Sequence, residues 1–580
     1  MTKLLLIHVV FYCLSLIAVI AFDFSLTGHI LACLLMAGCE LFVFFSSNHS
    51  WETIKNCITK NPVVIITAGL FIVRTALTLL QCYAKQPYAQ NYANLSTILS
   101  LLILYGGGLF LNSMLLNDTP LEKLFLLQAF VFGMVLLMIF PLYCVADEPV
   151  HLRTSYDLSN TMMGIPKSEE GIYMRRDDAD FNMNYIGYTT EQVNEYLVEL
   201  AAPLQGDDLI LVTDDTKHSH TLEYTRRPVV AKGQSYQYLF SALGITIGRF
   251  LGLGTIPMYL MGRFFNLLFY IIVLYYCIKI LPIGKQLLYS IALLPMPLHL
   301  AASASRDVFR ITCPILIITL TLYLLYDGAL SDKRKKILTV LLVILCLLQF
   351  PLRKHVYALI SLFPAIVYIY KKEIISHKAI FRIFFGICSV ILLFSIFKGF
   401  VFRGALITEP LHLVARSGNP GYTKEFFFNH PLTLVRLFKD TLLQYGYFYI
   451  ESMIGSSLGW LDTTYPSIFV FLLILVLIVN SLKRSDESIE FSNAFRFSLL
   501  IMSAATILFS LTGMSITYTE MASNVIQGVQ GRYFLPIALP FLLIFNNKFV
   551  IAKKSINISM ICLQFLVMNY ILQFLLMRLL

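Results

Sequence analysis

At 580 residues, 57% hydrophobic and only 13% charged, with a mean hydropathy of +0.73, the chain is far more apolar than a soluble globular protein, in which about a quarter of residues carry charge. This composition calls for a bilayer. The formal net charge of +10 does not indicate a nucleic-acid partner, because Lys and Arg gather between the apolar segments, where they act as orientation signals.

The first apolar stretch, Leu4–Phe22, lacks a small-residue cleavage site and reads as a retained spanning helix rather than a signal peptide. Lys3, Lys55, Lys60 and Lys123 place the loops that carry them on the cytoplasmic side under the positive-inside rule. Glu40 and Arg74 fall inside neighbouring apolar stretches at comparable depth and are expected to form a buried pair, an ion or proton path being the alternative. The fifth apolar stretch, 124–145, then runs outward and delivers Asp147 and Glu148 to the outer surface. Downstream, "SDKRKK" (331–336), "YKKEIISHK" (370–378), "KRSDES" (483–488) and Lys553–Lys554 are inside. Counting from these markers makes 257–278, 287–304 and 311–326 spanning helices, and leaves 238–253 as an interfacial helix. The whole reads as an all-α polytopic membrane protein with about 16 transmembrane helices, each needing roughly 17–25 apolar residues.

Two segments, 147–256 and 401–465, are too polar to span and are expected on the outer face as α/β or helical loop regions. In the first, "TTEQVNEYLVELAAPL" has capping-box residues Thr189 and Gln192, and "LILVT" with "HTLEYT" reads as a strand pair. The second contains the amphipathic stretch "HPLTLVRLFKDTLLQYGYFYIESMIG". Of the eleven cysteines neither long loop holds one, so no disulfide framework is expected; with no metal-ligand spacing among them, they read as packing residues.

Four groups of residues point to chemistry. Asp147 and Glu148 at a helix exit are candidate catalytic carboxylates, a general base being the role such a position suits, although acidic residues also cap helix exits in water. Pro149 fixes the turn there, and His151 and Arg153 add a titratable ring and a permanent cation. Asp178 and Asp180 have a spacing that lets two carboxylates share a divalent ion such as Mg or Mn, unless Arg175 and Arg176 neutralise them in a solvated loop. His218, His220 and Glu223 form a possible zinc set of a spacing common by chance. Finally, Arg306, Asp307 and Arg310, then Arg353, Lys354 and His355, then Gln530, Arg532 and Tyr533, form three cationic sites on the outer side. Each could anchor lipid headgroups; together they suit a phosphate or pyrophosphate. Gly528 and Gly531 would let the backbone approach a ligand closely. Trp460 and the tyrosines of "QYGYFYIE" could stack on sugar rings or form an interfacial belt.

The strings "DEPVHLRTSYDLS", "YLFSALGITIGRFLGLG", "MGRFFNLLFY", "GSSLGWLDTTYP" and "GVQGRYFLPIALP", in this order, resemble the signatures of a bacterial family of polytopic membrane proteins with a D-E-P-x-H-x-x-R motif in the first loop. The resemblance covers 121–550, leaving a four-helix extension at 1–120 and a C-terminal helix at 551–580. That family is similar to the GT-C glycosyltransferases, which take a sugar from a polyprenyl-phosphate or polyprenyl-pyrophosphate carrier. The resemblance implies a bacterial cytoplasmic-membrane enzyme, active on its extracytoplasmic face, that decorates a cell-surface glycan or lipid. It places Asp147 at the catalytic-base position with Glu148 beside it, and the outer Arg and Lys residues on the carrier phosphate. A transporter or flippase of lipid-linked oligosaccharide would show more charged helix interiors and internal repeats. A polysaccharide polymerase would carry its key loops in the second half of the chain. Both stand as alternatives.

Overall fold

A computed structural model describes residues 1–46, 62–87, 90–115, 119–168, 171–185, 209–213, 235–327, 330–349, 356–370, 418–485, 487–553 and 555–580. The chain opens with α1 (Thr2–Ala21), α2 (Leu26–Ser46), α3 (Pro62–Lys85), α4 (Gln90–Leu115) and α5 (Leu121–Ile139). The segment after α5 holds α6 (Glu148–Met162), β1 (Gly171–Arg175), α7 (Arg176–Tyr185) and β2 (Leu209–Thr213). Next come α8 (Leu239–Phe250), α9 (Thr255–Ile280), the short α10 (Lys285–Ala292) and α11 (Pro295–Ala301), then α12 (Asp307–Tyr326), α13 (Asp332–Gln349) and α14 (Phe363–Tyr370). The last part contains α15 (Lys424–Asn429), α16 (Pro431–Ile454), the β3–β4 hairpin (Ser457–Leu458, Thr463–Thr464), α17 (Ser467–Ser481), α18 (Asn493–Thr517), α19 (Leu535–Leu542) and α20 (Ile556–Leu579).

Among the described residues, nine helices are long and apolar enough to cross a membrane: α1 to α5, α9, α12, α18 and α20. Leu6, Ile17, Ile66 and Val73 point outward from α1 and α3, an apolar surface that water would not tolerate and lipid does. This is an all-α, multi-pass membrane protein.

The core holds the helices together by close approach of small residues. A Cβ at Gly244 of α8 would lie 2.2 Å from the Met261 carbonyl oxygen, and one at Gly133 of α5 would lie 2.5 Å from Leu267 of α9. Glycine at these crossings lets backbones meet, as packing between helices in a bilayer requires.

Four expectations need correction. The stretch 124–145 is helical only to Ile139, because Pro141 pushes Phe140 into extended geometry and ends α5 early. The stretch 287–304 is not one helix: it breaks at Leu293–Leu294 before Pro295, and α10 and α11 are almost wholly buried. "LILVT" is a strand, but its antiparallel partner is Gly171–Arg175; "HTLEYT" and the helix expected at 189–204 lie outside the described residues. Glu40 meets His8 and Asn112 instead of Arg74, whose guanidinium lies 5.6 Å from the Tyr570 ring. A helix, α8, occupies most of the stretch 238–253, and the amphipathic stretch of the second polar segment is α16.

Candidate functional site

The site grows from the end of α5. A helix C-terminus leaves carbonyl oxygens without partners, and Arg263 of α9 supplies the donors: its Nη1 donates to the Phe140 oxygen at 2.6 Å and its Nη2 to the Pro141 oxygen at 2.8 Å. The same guanidinium forms a two-pronged bond with Glu148, 2.7 and 2.5 Å, with both side chains fully buried. Glu148 also accepts from the backbone N–H groups of Tyr143 and Ala304. The turn 140–147 is thereby pinned to α9 and to the loop ahead of α12.

Pinning Glu148 turns its neighbour outward. Asp147 takes a left-handed backbone conformation, φ 63°, which costs a non-glycine residue energy and recurs at functional sites. It stands at the N-cap of α6, yet its carboxylate makes no capping bond. Oδ2 instead accepts from Arg532 Nη2 at 2.7 Å, and the Asp147 side chain remains 47% exposed. The surrounding protein raises the Asp147 carboxyl pKa even though the carboxylate keeps an open side, but Arg532 first, with lesser contributions from His151 and Arg306, outweighs this and holds the group below the usual carboxylate range.

Three chain-distant segments meet here. Arg532, buried in the turn Gly531–Phe534 that precedes α19, is shared between Asp147 and Asp307, the latter 3.4 Å from Nη1. Among the described residues, its Nε is buried without a hydrogen-bond partner. Asp307 opens α12 and also faces Arg310 at 3.5 Å, while Arg310 Nε donates to Gln237 at 3.0 Å. Asn266 of α9 fixes the break before α12 by donating to the Ser303 and Ser305 carbonyl oxygens. Gly531 allows this approach, since a Cβ there would sit 2.2 Å from the Tyr449 oxygen of α16. The Tyr533 ring lies 5.5 Å from the Arg532 guanidinium, and its carbonyl accepts from Tyr357.

His151 lies one turn along α6, its Nδ1 3.0 Å from the Tyr238 hydroxyl. Burial and the nearby Arg306 push its pKa down to about 3, so the ring is neutral. Arg153 is half-buried, and its charge acts on Tyr143; it stands two residues after His151, one fewer than the D-E-P-x-H-x-x-R spacing requires. Trp460, in the β3–β4 turn, donates from its indole N–H to the Tyr143 carbonyl at 2.8 Å. Gln530, two residues before Arg532, has its Oε1 buried without a hydrogen-bond partner among the described residues.

The structure therefore brings Asp147, His151, Arg306, Asp307, Arg532, Tyr533 and Trp460 into one neighbourhood, and gives Glu148 a buried structural place instead of the accessible one a catalytic carboxylate needs. Of the two readings of Asp178 and Asp180, the structure supports neutralisation by Arg175 over a shared ion, though in a buried helix and not a solvated loop. Asp178 is fully buried, with Arg175 donating at 2.7 and 3.1 Å, Tyr156 at 2.8 Å and Thr255 at 2.7 Å, while Asp180 is exposed. Two residues apart on α7 they point to different sides, so they cannot share an ion. Arg353, Lys354 and His355, and the set His218, His220 and Glu223, lie outside the described residues. Arg263 was missed by sequence reasoning, although an arginine within an apolar helix calls for a buried carboxylate partner.

The fold and site define a helical integral membrane protein in which an aspartate at the N-cap of a short helix lies beside arginines from distant segments. The chain belongs to the family described as Predicted membrane protein (DUF2142), which residues 130–541 match. No curated protein and no solved structure matches it.

Proposed function

We propose that the protein is a membrane glycosyltransferase that moves a sugar from a polyprenyl-phosphate-linked donor to a cell-surface glycan or lipid on the outer face of the bacterial cytoplasmic membrane. The observation that carries this reading is the partly exposed Asp147 carboxylate beside the arginine cluster of Arg306, Arg310 and Arg532. Sugar transfer from a lipid phosphate needs a base for the acceptor hydroxyl and cations for the departing phosphate, and this neighbourhood offers both.

In the resting arrangement Arg532 spans Asp147 and Asp307, which keeps Asp147 a weak base. A bound phosphate would compete for that guanidinium, whose Nε lacks a partner among the described residues, and each bond drawn from Asp147 would make it more basic. The Trp460 ring, tied to the carbonyl of Tyr143 four residues before Asp147, would flank a sugar there. The finer topology, about 16 spans with Asp147 outside, rests on the positive-inside pattern of the lysine-rich loops.

Comparing surface-glycan sugars in cells with and without the gene, restored by wild type or by Arg532→Lys, tests the reading. One sugar should disappear on deletion and return with wild type. Arg532→Lys, which keeps the charge but loses the fork between two carboxylates, should restore it poorly at normal protein levels. Unchanged sugar composition on deletion would remove the transferase reading.

A further inference from the structure

We propose that the N-terminal extension binds a divalent transition metal of the zinc class through His8, Cys39 and Glu40, as a clasp that ties the α1–α2 hairpin to α4. The ligating atoms of these three side chains all lie within 4.8 Å of one another. They come from α1 and α2, outside the family match and remote in sequence from the Asp147 site.

The hydrogen bonds around His8 point to a cation. Its Nδ1 lies 2.8 Å from the Leu4 carbonyl oxygen, which can only accept, so Nδ1 carries the proton. Nε2 then presents a lone pair, and it faces Glu40 Oε1 at 3.4 Å. Two acceptors facing each other need a positive charge between them. A histidine whose far nitrogen donates to a backbone carbonyl is also the usual arrangement for a metal ligand.

The surroundings select a metal over a proton. A proton would engage only His8 and Glu40, whereas the fully buried Cys39, its ligating atom within 4.8 Å of theirs, adds a third donor that a metal can use. A divalent metal takes all three donors, and a thiolate with a carboxylate balances its two charges, leaving a neutral unit that a low-dielectric membrane accommodates. Glu40 is held from the other side by the Asn112 amide of α4, an orienting bond of the kind ligating carboxylates receive. Gly108 of α4 makes room, because a Cβ there would come within 2.6 Å of Glu40 Oε1 and of the Met36 methyl. His8 lies roughly 9 Å along α1 from Thr2, so a bare Glu40 carboxylate would stand in an apolar layer. Sequence spacing hides the set, since His8 is far from the adjacent Cys39–Glu40 pair.

The test uses the full-length protein in detergent, purified without a histidine tag and titrated with Co²⁺ as the probe. About one equivalent should bind with the intense near-ultraviolet band of thiolate-bound cobalt, and Zn²⁺ should bleach it. Cys39→Ser should abolish that band, whereas Cys33→Ser, exposed on the same helix, should leave it. His8→Gln and Glu40→Gln should each weaken binding at least tenfold. The wild-type spectrum alone is decisive if a variant misfolds. No thiolate band at saturating Co²⁺, or a band that survives Cys39→Ser, would overturn the proposal.

Discussion

At Glu148 a carboxylate with no exposed surface accepts from one guanidinium and two backbone N–H groups, which dictates what its removal does. Deleting one member of a buried pair strands the other charge, whereas replacing both with apolar groups can be nearly neutral. Arg263→Met should therefore destabilise the protein by about 3–5 kcal/mol, and the double variant Glu148→Gln/Arg263→Met should recover part of that loss. Thermal unfolding in detergent reads the difference; equal effects of the single and double variants would contradict a coupled pair. His151 supports a second expectation. Its folded pKa is depressed to about 3, so between the unfolded value near 6.5 and that point the unfolded chain binds a proton that the folded chain does not. Stability from this group thus falls as pH drops through that window. Because the ring is neutral above it and the Asp147 carboxyl is held low, activity should show no ionisation from either group between pH 5 and 8. A limb near pH 6.5 that vanishes in His151→Gln would contradict this. From residue identity alone Asp147 and Glu148 look alike; only the left-handed turn and Arg263 give them different fates.

Elements are set by their breaks. Pro141 ends α5, Pro295 opens α11 after the gap at Leu293–Leu294, and the Ser303–Ser305 carbonyls held by Asn266 precede α12. Hydropathy sees none of these interruptions, since Leu and Ala fill them as readily as a helix interior, which is why 287–304 reads as one span. Where periodicity and charge change sharply, as at α8, α9 and α16, the elements are legible to within a few residues. The pairing of β2 with β1 was not, because local alternation identifies a strand without naming its partner. Gly531 carries the prediction at this scale. Its missing Cβ lets the Arg532 turn lie against α16, with the Tyr449 oxygen and the Met453 nitrogen 2.2 and 2.3 Å from where that atom would be. Both are backbone atoms and cannot swing aside. Gly531→Ala should cost roughly 1–3 kcal/mol and shift Arg532 away from Asp147. Thermal unfolding beside a surface-sugar assay should show both losses, while full retention of both would mean the turn has slack.

Across the whole molecule, the cluster depends on segments far apart in sequence: the α5–α6 turn, the start of α12 and the turn before α19. Charged residues that break an apolar pattern made Arg306, Asp307 and Arg532 visible in the sequence, but nothing there says that Arg532 bridges Asp147 and Asp307. The Asp178–Asp180 pair misled for the converse reason, since close spacing in sequence becomes divergence on a helix. Asp147 as the base of the proposed sugar transfer is tested most directly by Asp147→Asn, which keeps the shape and removes the charge. The variant is expressed in cells lacking the native protein, its membrane level is checked, and surface-glycan sugars are measured. Loss of one decoration, by about 10²–10⁴-fold in rate, at a normal protein level is the predicted result. Full decoration by Asp147→Asn would contradict it.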